Sequence, residues 1–177
     1  MDCQYVQNAG RPSYLPYLVH SLRHLSVFYA DINKLDAALH AIEESLRLSR
    51  SLQTSAASEE VKVQLAGSLA TSSAVFSAKN EHEKALQDAH AAVEVLETIF
   101  IRKVNQEHPM ERGFILREFN WDELLDTVSD KTVCDYARAL HTFSLTLENA
   151  GLVADAAKIE IKALETFRLL SPLPQPK

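Results

Sequence analysis

The chain has few of the residues that break helices or make tight β turns. Its 177 residues hold four glycines and six prolines, and β-branched runs are missing. Together these exclude an all-β fold and point to helices. It has no basic excess: the formal net charge is −6, so a nucleic-acid partner, which needs a basic surface against phosphate, is not expected. Only two cysteines occur, Cys3 and Cys134, far apart, which favours a reduced, intracellular protein over one held by disulfides. No apolar run approaches the roughly 18 residues of a membrane span. The opening MDCQYVQNAG has neither a basic start nor an apolar stretch, so no signal peptide is expected and the cytoplasm is the default. Phosphate-cradling patterns, GxGxxG and GxxxxGK[ST], are lacking, as is HExxH.

What is present is hydrophobic periodicity. Hydrophobic residues make up 46% of the chain and charged residues 24%, a globular balance at a length that suits one domain. Residues 22–46 read as two short amphipathic helices joined by a turn at Asp31-Ile32-Asn33-Lys34. The pattern returns twice. Leu22, Leu25, Ser26, Tyr29, Asn33, Ala38, Ser45 and Leu46 match Leu69, Ser72, Ser73, Phe76, Asn80, Ala85, Ala92 and Val93 without gaps. Both match Leu140, Phe143, Ser144, Leu147, Gly151, Ala156, Ala163 and Leu164. Repeated helical hairpins imply a stacked array with a shared core.

These residues resemble the tetratricopeptide (TPR) repeat: large apolar, large apolar followed by small, aromatic, Gly or Asn at the turn, Ala, then a second small residue seven later. The small positions are Ser26, Ser73 and Ser144; Ala38, Ala85 and Ala156; and Ser45, Ala92 and Ala163. Small side chains there let two helices approach closely. The phrase RPSYLPYLVHSLRHLS also resembles the repeat-opening phrase of long TPR arrays in filamentous and mushroom-forming fungi. The resemblance implies an all-α, right-handed superhelical solenoid of three TPR-like hairpins, at about 15–50, 60–105 and 131–170. The repeats stand 47 and then 71 residues apart, against a family norm of about 34 to 42, so roughly 25 to 30 residues are inserted before the third. Glu160 occupies a place where the family has a large apolar residue.

Taken in order, Pro12 and Pro16 frame the start of the first helix, whose apolar face is expected to comprise Leu15, Leu18, Val19, Leu22, Leu25 and Tyr29. The second helix is expected to bury Leu35, Ala38, Leu39, Ile42 and Leu46. A Ser/Ala/Thr linker at 49–58 leads to a helix start at Ser58-Glu59-Glu60. The fourth helix is expected to run to about Val104, before Pro109 forbids it. In the insertion at 106–130, Asn120-Trp121-Asp122-Glu123 has the form of a capping box. Trp121, Leu124, Leu125 and Val128 follow at helical spacing, a short helix that either covers the array or docks on a partner. Ala156, Ala163, Leu164 and Phe167 are expected to pack the last hairpin, before a Pro-rich tail at 171–177.

In the TPR family the first helix of each hairpin lines a concave groove. By that resemblance the groove-facing residues are His20, Arg23, Val27, Ala30 and Asp31; Gly67, Ala70, Ala74, Ser77 and Ala78; and Arg138, His141, Leu145, Glu148 and Asn149. The middle floor is small and nearly apolar. One edge is basic, through Arg23 and Arg138, and the other acidic, through Asp31 and Glu148. A peptide or helix of another protein, bearing an acidic element, suits such a groove. Chaperone-binding family members hold a C-terminal carboxylate with cations and amides at five positions. Here Arg23 and Arg138 fit two, but Val27, Thr71 and Thr142 fill the others, so that ligand class is not expected. His20 and His24 stand four apart on one helix, a zinc-compatible spacing without a third ligand. The expected function is therefore non-catalytic protein binding, as an adaptor or scaffold with no cofactor and no metal. The alternatives are a self-association module or a piece of a longer array.

Overall fold

The computed structural model of the chain describes residues 14–53, 58–104 and 128–170. Within them the chain is all helix: α1 (Leu15–Asp31), α2 (Leu35–Leu52), α3 (Glu59–Ala78), α4 (His82–Val104), α5 (Asp130–Asn149) and α6 (Val153–Leu170). Among the described residues no strand occurs, and no helix is long and apolar enough to cross a membrane. Trp121, Leu124, Leu125, the capping box, Cys3 and the Pro-rich tail lie outside the described residues. Val128 lies within them and is buried in the core.

Side-chain caps start two of these helices. Ser58 Oγ accepts from the Val61 amide and Ser129 Oγ from the Thr132 amide, each satisfying a donor that a helix start leaves free. Pro16 sits in the first turn of α1, where a missing N–H costs nothing. The three turns within hairpins are built alike. Asn33 (φ 57°), Asn80 (φ 61°) and Gly151 (φ 80°) hold the left-handed conformation that Asn and Gly tolerate best. In each, the following amide reaches back five residues: Lys34 to Tyr29 O, Glu81 to Phe76 O and Leu152 to Leu147 O, at 2.8 to 2.9 Å. The matched sequence register is thus a matched backbone register.

Each helix packs most extensively on its hairpin partner, and α2 on α3, α4 on α5, α1 on α3 and α3 on α5 join the hairpins. The small-residue positions lie at the hairpin contacts. Ser26, Ser73 and Ser144 are buried, as are Ala38, Ala85, Ala156, Ser45, Ala92 and Ala163. Ser26 Oγ donates to Ala38 O at 2.8 Å, tying α1 to α2 where a larger side chain would hold them apart. One core runs from Leu46 through Leu69, Val93, Phe100, Tyr136 and Leu140 to Ile159 and Ala163.

Two expected faces are not buried. On α1, Val19 is buried but Leu15, Leu18 and Leu25 are exposed. On α6, Ala163 is buried but Leu164 is 51% exposed. The cause is position: among the described residues α1 packs chiefly on α2 and α3, and α6 packs chiefly on α5. Glu160, in place of a large apolar residue, is half-buried and meets His141 Nδ1 of α5 at 2.9 Å.

Candidate partner-binding groove

The first helices of the three hairpins, α1, α3 and α5, lie side by side. Residues three and four apart on one helix share a face, so Arg23 and Val27, then Ala66, Gly67, Ala70 and Ala74, then Asp135, Arg138 and Thr142 project together. They line a cavity of about 310 Å³ whose floor is small side chains. A second cavity of about 510 Å³ follows, lined by Ser77, Ala78, His82, Leu145 and Asn149 among others. Ala74 and Thr142 line both, so the two form one groove across the three helices.

Of the residues expected in the groove, Arg23, Val27, Ala70, Ala74 and Arg138 meet in the first cavity, and Leu145 and Asn149 line the second with Ala74. His20, Asp31, His141 and Glu148 line neither. His141 is drawn to Glu160 of α6. His20 Nδ1 accepts from the Arg23 guanidinium at 3.2 Å. Loss of hydration, and then the positive charges of Arg23, His24 and Lys131, hold its pKa below the ordinary histidine value. Its ring therefore stays neutral at pH 7 and accepts from the guanidinium. The His20 and His24 rings meet edge to face with centroids 4.3 Å apart. Among the described residues no three His, Cys, Asp or Glu side chains gather as a metal site would require.

Asp135 and His82 line the groove without a local sequence signal for this role, whereas Gly67 and Thr71 stand at positions the sequence already singled out. Asp135 reaches Arg138 Nη1 at 3.3 Å, and its charge also acts on Arg23. Gly67 leaves the space that the Arg23 guanidinium fills. His82 faces the second cavity, and its buried Nδ1 has no hydrogen-bond partner among the described residues. Thr71 Oγ1 is turned away to donate to Gly67 O at 3.0 Å.

Burial lowers the Arg23 pKa, Asp135 opposes that shift and Arg138 adds to it. An arginine remains protonated regardless, so Arg23 is a partly desolvated cation beside a second cation. Two guanidiniums over a small-residue floor can bind a carboxylate by forked, charge-assisted hydrogen bonds while the floor accepts apolar groups. The Asn149 amide donates to Ser77 Oγ at 2.9 Å and joins α5 to α3 at the far end.

No protein-family model, curated protein or solved structure matches this chain.

Proposed function

We propose that this chain is a non-catalytic protein-binding module, a TPR-like helical solenoid that holds a peptide or helix of a partner protein in the groove across α1, α3 and α5. The observation that carries this reading is the pairing of Arg23 and Arg138 at one cavity over a floor of Ala66, Gly67, Ala70 and Ala74. The cations suit an acidic side chain of the ligand, and the floor has room for an adjacent bulky apolar one. Asp135 already pairs with Arg138, so a ligand carboxylate competes with it and binding weakens with salt. By the resemblance, the five positions that grip a C-terminal carboxylate in chaperone-binding TPR proteins correspond to Arg23, Val27, Thr71, Arg138 and Thr142, residues that line this cavity. Only two of them are cations and none is an amide, which supports an internal acidic element over a free C-terminus. We assign the module to the cytoplasm as an adaptor or scaffold.

The test is capture from an extract by the wild type, by Arg23→Glu/Arg138→Glu and by Ala70→Trp. A protein held by the wild type and lost from both variants is then narrowed to a synthetic peptide and titrated at low and high salt. The expected result is loss of binding in both variants and weaker binding at high salt. Equal capture by all three proteins removes the groove from consideration.

A further inference from the structure

Among the described residues, every exposed large hydrophobic except Leu145 lies on α1, on α6, or beside one of them. None lies on α2, α3 or α4. The repeat register explains what these residues are. Leu18, Leu25 and Phe28 of α1 stand where α3 has Leu65, Ser72 and Val75 and where α5 has Tyr136, Phe143 and Thr146. On α5 this is the face laid against the preceding hairpin. Tyr136 meets Phe100 of α4 edge to face at 5.0 Å, Phe143 meets His90 of α4 at 6.1 Å, and Thr146 shares a hydrogen bond with Ser73 of α3. Tyr136, Leu65, Val75 and Thr146 are all buried, whereas Leu18 is 46% and Phe28 56% exposed.

The other end carries the complementary half. Ile161 and Leu164 of α6 stand where α4 has His90 and Val93, the former a partner of Phe143. Leu46, the α2 counterpart of Leu164, is buried in the core shared with α3, the helix that follows it. Ile161 and Leu164 are more than half exposed, and among the described residues no helix packs on that side of α6. Among the described residues one kind of contact between hairpins is made twice, and an uncovered half of it lies on α1 and on α6.

We propose that α1 of one copy docks on α6 of a second copy, head to tail, so that the hairpin contact continues between chains. Leu25 of one copy then meets Ile161 of the other, as Phe143 meets His90 within the chain. The two faces differ, so the contact is heterologous and leaves a free head and a free tail after each addition. At its rim, Asp31 of one copy takes the place of Asn149 and Glu148 of the other the place of Ser77. These two exposed carboxylates oppose association, and salt screens them. Salt therefore strengthens stacking while it weakens an acidic ligand in the groove, and the two readings fail independently.

The test is sedimentation of the full chain over a wide concentration range, with Leu18→Glu and Leu164→Glu alone and mixed. Both substitutions fall at exposed positions, and far-UV circular dichroism verifies that each variant is folded. The wild type is expected to exceed a dimer as concentration rises, and Arg23→Glu/Arg138→Glu to do the same. Each single variant is expected to stay monomeric, having lost one half of the contact. Their equimolar mixture is expected to form dimers and stop there, since one intact head and one intact tail remain. A wild type that is monomeric throughout overturns the proposal, and so do single variants that still associate or a mixture that stays monomeric.

Discussion

The Arg23 guanidinium occupies the space that a side chain at residue 67 would need. A Cβ built on Gly67 overlaps Nη1 and lies 3.2 Å from Cζ. The glycine belongs to α3 and the arginine to α1, so a missing side chain on one helix seats a cation of another. What must yield on Gly67→Ala is the end of a flexible side chain. The helix itself gains, since alanine is favoured over glycine in a helix interior by up to about 1 kcal/mol. Gly67→Ala is therefore expected to raise the urea midpoint or leave it unchanged. It also displaces Arg23 and weakens the capture of an acidic ligand about tenfold, near 1.4 kcal/mol. A loss of stability without a loss of capture would show that Arg23 does not serve the groove.

Tyr136 is fully buried at the contact of α4 and α5, and its hydroxyl donates to the Glu97 carboxylate at 2.8 Å. Burial, followed by the Glu97 charge and this hydrogen bond, raises the tyrosine pKa well above its ordinary value, so it remains a donor at all working pH. Lys162 Nζ lies 3.8 Å from the same carboxylate and 5.8 Å from the ring, bringing α6 into the group. Tyr136→Phe keeps the contact with Phe100 but withdraws a donor from a buried charge. It is expected to cost about 1–3 kcal/mol, read as a lower urea midpoint with an unchanged slope. Tyr136→Leu loses the ring pairing as well and is expected to cost more.

The turns were the most legible part of this fold. A left-handed residue must end each hairpin turn, and Asn33, Asn80 and Gly151 stand in register where the backbone needs them. Apolar periodicity was less informative about burial. It located the faces of α1 and α6 but not whether a neighbour covers them: Leu18 and Leu164 are exposed where their register counterparts Leu65 and Val93 are buried. The groove was legible where residues act from one helix face, as with Arg23, Ala70, Ala74 and Arg138. It was not where the determinant lies between helices. The pairing of His141 with Glu160 spans 19 residues, and the seat of Arg23 at Gly67 joins α1 to α3.

Asp88 on α4 sits half-buried against α3 and accepts a hydrogen bond from Ser72 Oγ at 2.6 Å. Burial raises its pKa above the ordinary carboxylate value, and the Ser72 bond and the Arg50 charge offset this only in part. An acid with a raised folded pKa favours the fold when protonated. Its contribution is complete below the unfolded value, about pH 4, and is lost as pH rises through the folded value. Asp88→Asn keeps an acceptor for Ser72 and removes the buried charge. It is expected to stabilise the protein at neutral pH by under about 1 kcal/mol, with the gain vanishing near pH 4. Urea midpoints of both proteins across pH check this, and a gain independent of pH would rule out the charge as its cause.

Gly151 isolates the cost of backbone conformation. Its φ is 80°, and a Cβ added there would meet nothing within 4 Å. Any loss on Gly151→Ala therefore comes from the left-handed backbone alone, about 1 kcal/mol for a residue with a β-carbon. Asn33→Gly and Asn80→Gly are expected to be neutral or slightly stabilising in the same measurement, because glycine holds that conformation at no steric cost. Asn33→Ala and Asn80→Ala are expected to lose stability, since asparagine tolerates φ near 60° better than alanine. Urea midpoints for the five variants give the comparison. If Gly151→Ala were as stable as the wild type, the α5–α6 turn would have to close through a different backbone conformation, and the common geometry of the three hairpins would end at the second.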